Sequence, residues 1–469
     1  MAAYTCETET TNGSLMITGL NVEDGVTEVV IPSTIDGKPV TVIGNAAFEG
    51  CKSLASVVIS SSVTAIGWYA FRGCTGLTSV EIPDSVTEIG ELAFSWCDNL
   101  TSVVIPSGVT AIGRAAFRDC TGLTSVVISE GVGAIEDEAF EGCTGLTSVE
   151  IPSTMRVIGY SAFWECTSLT SVVIPEGVTE IGHSAFYGCT GLTSVVIPSS
   201  VTEIGDSAFC ECTGLTSVTI PDSVTEIGPS AFCGCTGLTS VVIPEGVTEI
   251  GDSAFCECTG LTSVVIPEGV TAIGRAAFKD CTGLTSVVIP SSMTAIGESA
   301  FEGCDNLRSF VVADGNPNYA VMNGLLCSKD GEILIMCPRH LTSVEIPSSV
   351  TKIDWWAFEG CTGLTSFIVD EKNSDYQSIN GLLCSKNGKT LIRCPEGVTS
   401  VAIPEGVTEI GHSAFAGCTG LTSVVIPSSV TAIGRWAFCG CTGLTSMEIP
   451  KGCKAGNDAF PKTVKIIKV

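Results

Sequence analysis

In Leu77-Thr78-Ser79-Val80-Glu81-Ile82-Pro83 the apolar positions are Leu77, Val80 and Ile82, with polar residues between them. From Val80 onward the alternation has the period of a strand, and Val and Ile beside Thr suit one. Pro83 has no N–H to give and ends the ladder. Residues 84–90 read DSVTEIG, which predicts a second short strand with Val86 and Ile89 inward and Thr87 and Glu88 outward. Gly90 then turns the chain. In residues 91–97, ELAFSWC, Phe94 and Cys97 stand three apart, the spacing of one face of a single helical turn. A Thr-Gly or Asp-Asn pair leads back to the next Leu. The predicted unit is therefore strand, strand and helical turn. One such unit cannot bury its apolar face alone.

The unit recurs. Ala-Phe pairs set its register: from Phe48 to Phe301 the Phe residues fall every 23 positions. Two steps of 57 follow, to Phe358 and Phe415, then one of 23 to Phe438 and one of 22 to Phe460. A length of 469 residues would ordinarily suggest two to four globular domains, but repeats predict one stacked array. Stacking at ~4.8 Å per rung buries Leu, Val, Ile, Phe and Cys as ladders. The period with its L-x-x-L-x-L spacing is a leucine-rich-repeat signature. The predicted fold is a right-handed β-rich solenoid of about fifteen 23-residue coils with two hairpin-bearing inserts. The inserts, residues 311–347 and 368–404, carry Lys-Asp-Gly or Lys-Asn-Gly between apolar runs, a hairpin signal. The expected division is an N-terminal cap (1–33), uninterrupted repeats (34–309), two modified coils (310–400), further repeats (401–450) and a C-terminal cap (451–469).

The unit IPSSVTAIGR…AF…CTGLTS (residues 426–446) resembles the BspA-like, or Treponema pallidum type, leucine-rich repeat. The stretch DGVTEVVIPSTIDGKPVTVIGNAAFEGC (Asp24–Cys51) is similar to that family's first unit. The inserts share its Asn-Gly-Leu-Leu…Lys-Asp-Gly…Cys-Pro pattern, with Cys327, Cys337, Cys384 and Cys394 where aromatic residues are more usual. The resemblance implies a surface or secreted protein of adhesion or interaction, hence a protein partner and a cell-surface or extracellular location. The chain opens without a basic segment followed by an apolar run, so no signal peptide is expected in these residues, and an intracellular place stays open.

Composition narrows the function. Lys and Arg number 22 against 50 Asp and Glu, for a net charge of −28. Such a field repels phosphate backbones and anionic lipid, so nucleic-acid partners are not expected. No run reaches ~18 apolar residues, so no membrane insertion is expected either. The sequence lacks a nucleophile elbow, an H-E-x-x-H pair and a phosphate loop, and its three histidines are scattered; no enzyme and no cofactor are expected. Glycines at the coil corners are read as positive-φ positions. The Cys three residues after each Phe reads as a small apolar filler rather than a metal ligand. The rung spacing exceeds what a disulfide wants, so free buried thiols are expected.

Function is expected on the outward positions. On the first strand these hold Val58, Val104, Val127, Val173, Val196, Val242, Val265 and Val288, interrupted by Glu81, Glu150 and Thr219; a binding wall and plain β-propensity both account for them. Glu180, Glu203, Glu226 and Glu249 should stack on successive rungs, as a solvated acidic stripe or a calcium site without the usual Asp-rich loop. Tyr160 precedes His183 by 23 residues, and Trp164 precedes Tyr187 by the same step, so each pair should meet across adjacent coils. With Trp68, Tyr69, Trp355 and Trp356 these are the protein-binding candidates, although corner aromatics also shield a coil edge. Cys210, Cys233 and Cys256, one residue after Phe, are expected to form an outward row of reactive thiols, with Cys439 alone. Lys451, Lys454, Lys462, Lys465 and Lys468 at one end and Glu7, Glu9, Glu23, Asp24 and Glu28 at the other suggest a weak head-to-tail contact. The alternative to a binding protein is thus an assembly protein that self-associates along its axis.

Overall fold

A computed structural model describes residues 4–11, 13–22 and 26–469. The chain is a parallel β-solenoid of about 19 turns with ~23-residue spacing, and no helix occurs among the described residues. Counting Ala-Phe pairs alone falls short of that number, because the modified coils have no Ala-Phe turn of their own. Two compact units are present, Met1–Cys281 and Thr282–Val469.

Within the first unit each coil contributes two strands. Ser102–Ile105 pairs in parallel register with Ser125–Ile128, Val103 facing Val126, and Pro106 ends the strand as predicted. Ala111–Ile112 pairs likewise with Ala134–Ile135. At the start, Tyr4–Thr11 and Ser14–Val22 form an antiparallel hairpin, whose second strand joins Lys38–Ile43 in parallel. The inward positions Val103, Ile105, Val109 and Ile112 are buried. Phe rings from Phe48 to Phe278 are buried, and those of successive coils stack with centroids 4.9 Å apart at Phe48–Phe71 and 5.4 Å apart at Phe255–Phe278.

The segment around Phe corrects the helical-turn expectation. Phe209 N–H donates to Ala231 O of the next coil at 2.8 Å, and Ser207 and Glu211 do the same to Pro229 and Cys233. The residues that follow each of them, Ala208, Cys210 and Cys212, donate three residues back instead. A helix would send every N–H four residues back. Here alternate amides leave the coil. This requires left-handed backbone two residues before and after Phe, as at Ser207 (φ 55) and Glu211 (φ 59). Phe209 and Cys212 both still point inward.

The glycines divide into two kinds. Gly188, two residues after Phe186, has φ 68, as expected. Gly205, before the Phe turn, is instead a close-approach position: a Cβ there would lie 2.7 Å from Ile181 O.

In the second unit each insert is a three-stranded meander. Tyr319–Met322 pairs antiparallel with Leu325–Ser328, which pairs antiparallel with Ile333–Met336. The predicted Lys-Asp-Gly hairpin is the second of these turns. The first, at Asn323-Gly324 (φ 50 and 80), is an Asn-Gly turn of the kind that closes two-residue hairpins. The third strand then joins Lys352–Ile353 in parallel, so the meander rejoins the ladder. Residues 376–393 repeat the arrangement. A buried Asn anchors each meander: Asn373 Nδ2 donates to Pro347 O and Val350 O, and its Oδ1 accepts from Asp375 and Tyr376 amides, all at 2.8–2.9 Å. Asn316 is bonded in the same way to Pro290, Met293, Asn318 and Tyr319.

Candidate interaction surface

The rows that face inward hardly vary, and their polar groups are satisfied within the stack. From Cys74 to Cys281 the buried thiol three residues after Phe points its Sγ at the Phe carbonyl of the preceding coil, as Cys212 does to Phe186 O at 3.1 Å. That second bond favours Cys over Ala in the slot. No disulfide joins the described thiols, as expected. Burial pushes Cys189 up to about 12. Outside, Thr hydroxyls form a ladder to the carbonyl one coil back, as in Thr124 to Thr101 O at 3.0 Å.

Chemical variety is confined to the outward rows. On the first strand Val104, Val173, Val196, Val242 and Val265 are 55–64% exposed, so the valine row is a solvent-facing wall. On the second strand Glu180, Glu203, Glu226 and Glu249 are in register across four rungs. Partial burial of Glu203, with the like charges of Glu180 and Glu226, raises its carboxyl above the ordinary value. Among the described residues no three His, Cys, Asp or Glu side chains converge as a metal set, so this stripe is a row and not a cage.

Trp164 and Tyr187 meet as predicted, with ring centroids 4.1 Å apart and planes 18° from parallel. Tyr187 Oη donates to Glu211 Oε1 at 2.7 Å, which holds the phenol well above its usual range. Tyr160 and His183 occupy the row three residues before Phe on the same two coils, and both are exposed. His183 is tied down: its Nδ1 accepts from Asp206 N–H at 2.9 Å. Trp68 is exposed and its indole Cδ1 lies over Gly90, where a Cβ would come within 2.7 Å. Tyr69 is half-buried, with the Arg72 guanidinium 5.5 Å from its ring centroid.

The outward thiol row is corrected. Cys210 and Cys256 are buried, at 7% and 8% exposure, Cys233 is half-buried, and of the four only Cys439 is exposed. The position after Phe does face out, as Arg72 shows. But a thiol is short, and this row is flanked by Tyr187 and Lys279, with Glu211 and Glu257 alongside. The longer neighbours shade it. Cys233 is pushed up to about 12, chiefly by a hydrogen bond with Cys210.

In the second unit the modified coils leave notches. Each insert skips the Ala-Phe turn, so the turns at Phe301 and Phe358 are separated by a coil that contributes only Cys337, whose N–H donates to Ala357 O at 2.8 Å. Phe310 and Phe367 replace strand valines and set their rings edge-on to Phe301 and Phe358, at 5.9 and 4.8 Å, filling part of the gap. Trp355 and Trp356 stand at the mouths of what remains. Trp356 Nε1 donates to Glu298 Oε1 at 2.6 Å on one side. Trp355 meets His412 edge-on at 4.2 Å on the other, and His412 meets Trp436 at 5.3 Å. Beneath the notch at the second modified coil Arg393 pairs with buried Glu396 at 2.7 Å. The clustering of Trp355 with His412 and Trp436 was not foreseen; their matched places two and three residues before Phe carried that signal.

The sequence profile of the BspA-type leucine-rich-repeat region matches six times, over residues 41–170, 88–216, 157–285, 202–320, 335–383 and 389–469. The chain belongs to the BspA-type leucine-rich-repeat family. A leucine-rich-repeat protein of known structure from Bacteroides ovatus is similar at 28% identity, covering 100% of this chain and 99% of that one, with a TM-score of 0.56. A leucine-rich cell surface protein from Faecalibacterium prausnitzii is 23% identical over 98% of this chain and 95% of that one, with a TM-score of 0.40. A Treponema pallidum leucine-rich-repeat protein is 30% identical over 50% of this chain and 87% of that one, with a TM-score of 0.29. No curated protein matches the chain. In this chain the inward ladders set the fold and leave the outward rows free to vary.

Proposed function

We propose that this BspA-type solenoid is a non-enzymatic protein-binding molecule that works at a cell surface or outside the cell, in adhesion or a related interaction. The observation that carries the reading is the aromatic group at Tyr160, Trp164, His183 and Tyr187. A stacked indole and phenol beside an exposed tyrosine offer large, rigid contact area at little entropic cost. The exposed valine row on the first strands of the same coils adds apolar surface. The acidic field directs the choice toward a cationic or neutral protein and away from nucleic acid. Among the described residues no helix is long and apolar enough to cross a membrane. Residues 1–33 and 451–469 act as caps in this reading.

The second reading, assembly along the axis, draws on Lys451, Lys454, Lys462, Lys465 and Lys468, all exposed at the C-terminal end. Of their acidic counterparts Glu28 is exposed; Glu23, Asp24 and the side chains of Glu7 and Glu9 lie outside the described residues. Lysines on a terminal strand also blunt edge-to-edge pairing, which favours the binding reading. Light scattering separates the two. A binding protein keeps the monomer mass of 48.3 kDa at low salt as concentration rises. A mass that climbs with concentration and falls back when salt is added would establish assembly instead.

A further inference from the structure

We infer that the notch at the first modified coil of the second unit is a receptor for an arginine side chain of a protein partner. The notch exists because the first modified coil skips its Ala-Phe turn. Its floor is apolar, with Leu326 and Met336 beneath. Its rim carries the half-exposed indoles of Trp355 and Trp356 and the carboxylates of Glu298 and Asp354. The cavity is ≈ 340 Å³, room for one long side chain.

Each part matches a part of arginine. The apolar floor takes the aliphatic stem. Indole faces attract a guanidinium through the ring quadrupole and stack on its plane. A carboxylate accepts its planar N–H groups in pairs. Glu298 Oε1 already accepts from Trp356 Nε1, which fixes the carboxylate beside the ring and leaves its other oxygen for an incoming donor. Asp354 is held loosely by Lys352 Nζ at 3.7 Å, on a lysine that is itself exposed. An arriving arginine competes with that contact. Lysine fits less well, because a compact ammonium cannot stack on the indole and pair with the carboxylate through one plane. The chain's net charge of −28 attracts basic segments to begin with.

This inference rests on the protein-binding reading and adds the partner's chemistry. The test titrates acetyl-Gly-Arg-Gly-Arg-Gly-amide into the intact protein by calorimetry at about physiological salt, where long-range attraction is screened. The lysine and citrulline forms of the peptide serve as comparisons. The arginine peptide should bind at least about tenfold more tightly than the citrulline form, which keeps the shape and loses the charge. Trp355→Ala with Trp356→Ala should weaken it by at least about tenfold, and Glu298→Gln by about threefold or more. Glu226→Gln, in the acidic row of the first unit, should change nothing. Circular dichroism establishes that each variant is folded; Glu298→Gln, a surface change, keeps the test open if the double tryptophan variant is not. Equal affinity for arginine and citrulline peptides would overturn the inference, as would wild-type affinity in the folded tryptophan or Glu298 variant. Either result sinks the arginine assignment alone, because the Tyr160 group lies in the other unit and is read by its own variant.

Discussion

Alkali should unfold this protein without any denaturant between about pH 8.5 and pH 10.5. The thiols that line the first unit are held protonated by burial: Cys74 and Cys189 are pushed up to about 12, and Cys143, Cys166, Cys212 and Cys235 also lie well above the ordinary thiol value. In the unfolded chain the same groups ionise near pH 8.5. Above that pH the folded state binds more protons than the unfolded state, so stability falls as pH rises. Each thiol removes about 1.4 kcal/mol per pH unit until its folded value is reached. Below about pH 8 both states are protonated and the stabilisation is whole. Circular dichroism against pH, under reducing conditions, reads the loss. Replacing Cys143, Cys166, Cys189, Cys212 and Cys235 with alanine should lower stability at neutral pH yet flatten the alkaline slope. A wild-type slope no steeper than that of the variant would mean the thiols reach water.

Phe209→Ala should destabilise the first unit by about 3–5 kcal/mol, the range for a fully buried ring. The Phe209 ring is wholly buried, with neighbours centred 5.3 Å and 5.4 Å away. Removing it opens a gap in a continuous column. A solenoid is coupled only between neighbours, so the damage is also a loss of coupling. Coils on the two sides should then melt in separate steps of a urea titration. The exposed valine two coils further on gives the contrast: Val242→Thr should change stability by about 0.5 kcal/mol or less.

Much of this was legible in the sequence. The Phe, Leu, Val and Ile ladders follow from period and alternation alone, because burial on one face of a short strand leaves few residue choices. The helical turn did not survive, since its amides pair with the next coil, a partner 22 residues away in sequence. Two residues before Phe the left-handed residue is Ser207 rather than glycine, so nothing local marks it; two after, Glu211 stands where the preceding coil has Gly188. The shading of Cys210 and Cys256 depends on the lengths of neighbours on adjoining coils. The Asn-Gly turns at Asn323 and Asn380 were readable, and are the sharper hairpin signals beside the Lys-Asp-Gly and Lys-Asn-Gly turns that were read. Trp355 and Trp356 could be picked out as corner aromatics. The notches beside them could not, because they come from a turn that is missing.

The most direct test of the interaction account is affinity for one protein partner, once captured, measured on two chains. One is the wild type. The other carries Tyr160→Ser, Trp164→Ser, His183→Ser and Tyr187→Ser, outward positions whose loss leaves the Phe and Cys ladders in place. The account predicts an unchanged circular dichroism spectrum and a loss of affinity of about a hundredfold or more, as for aromatic anchors of an interface. Equal affinity in the folded variant would contradict it.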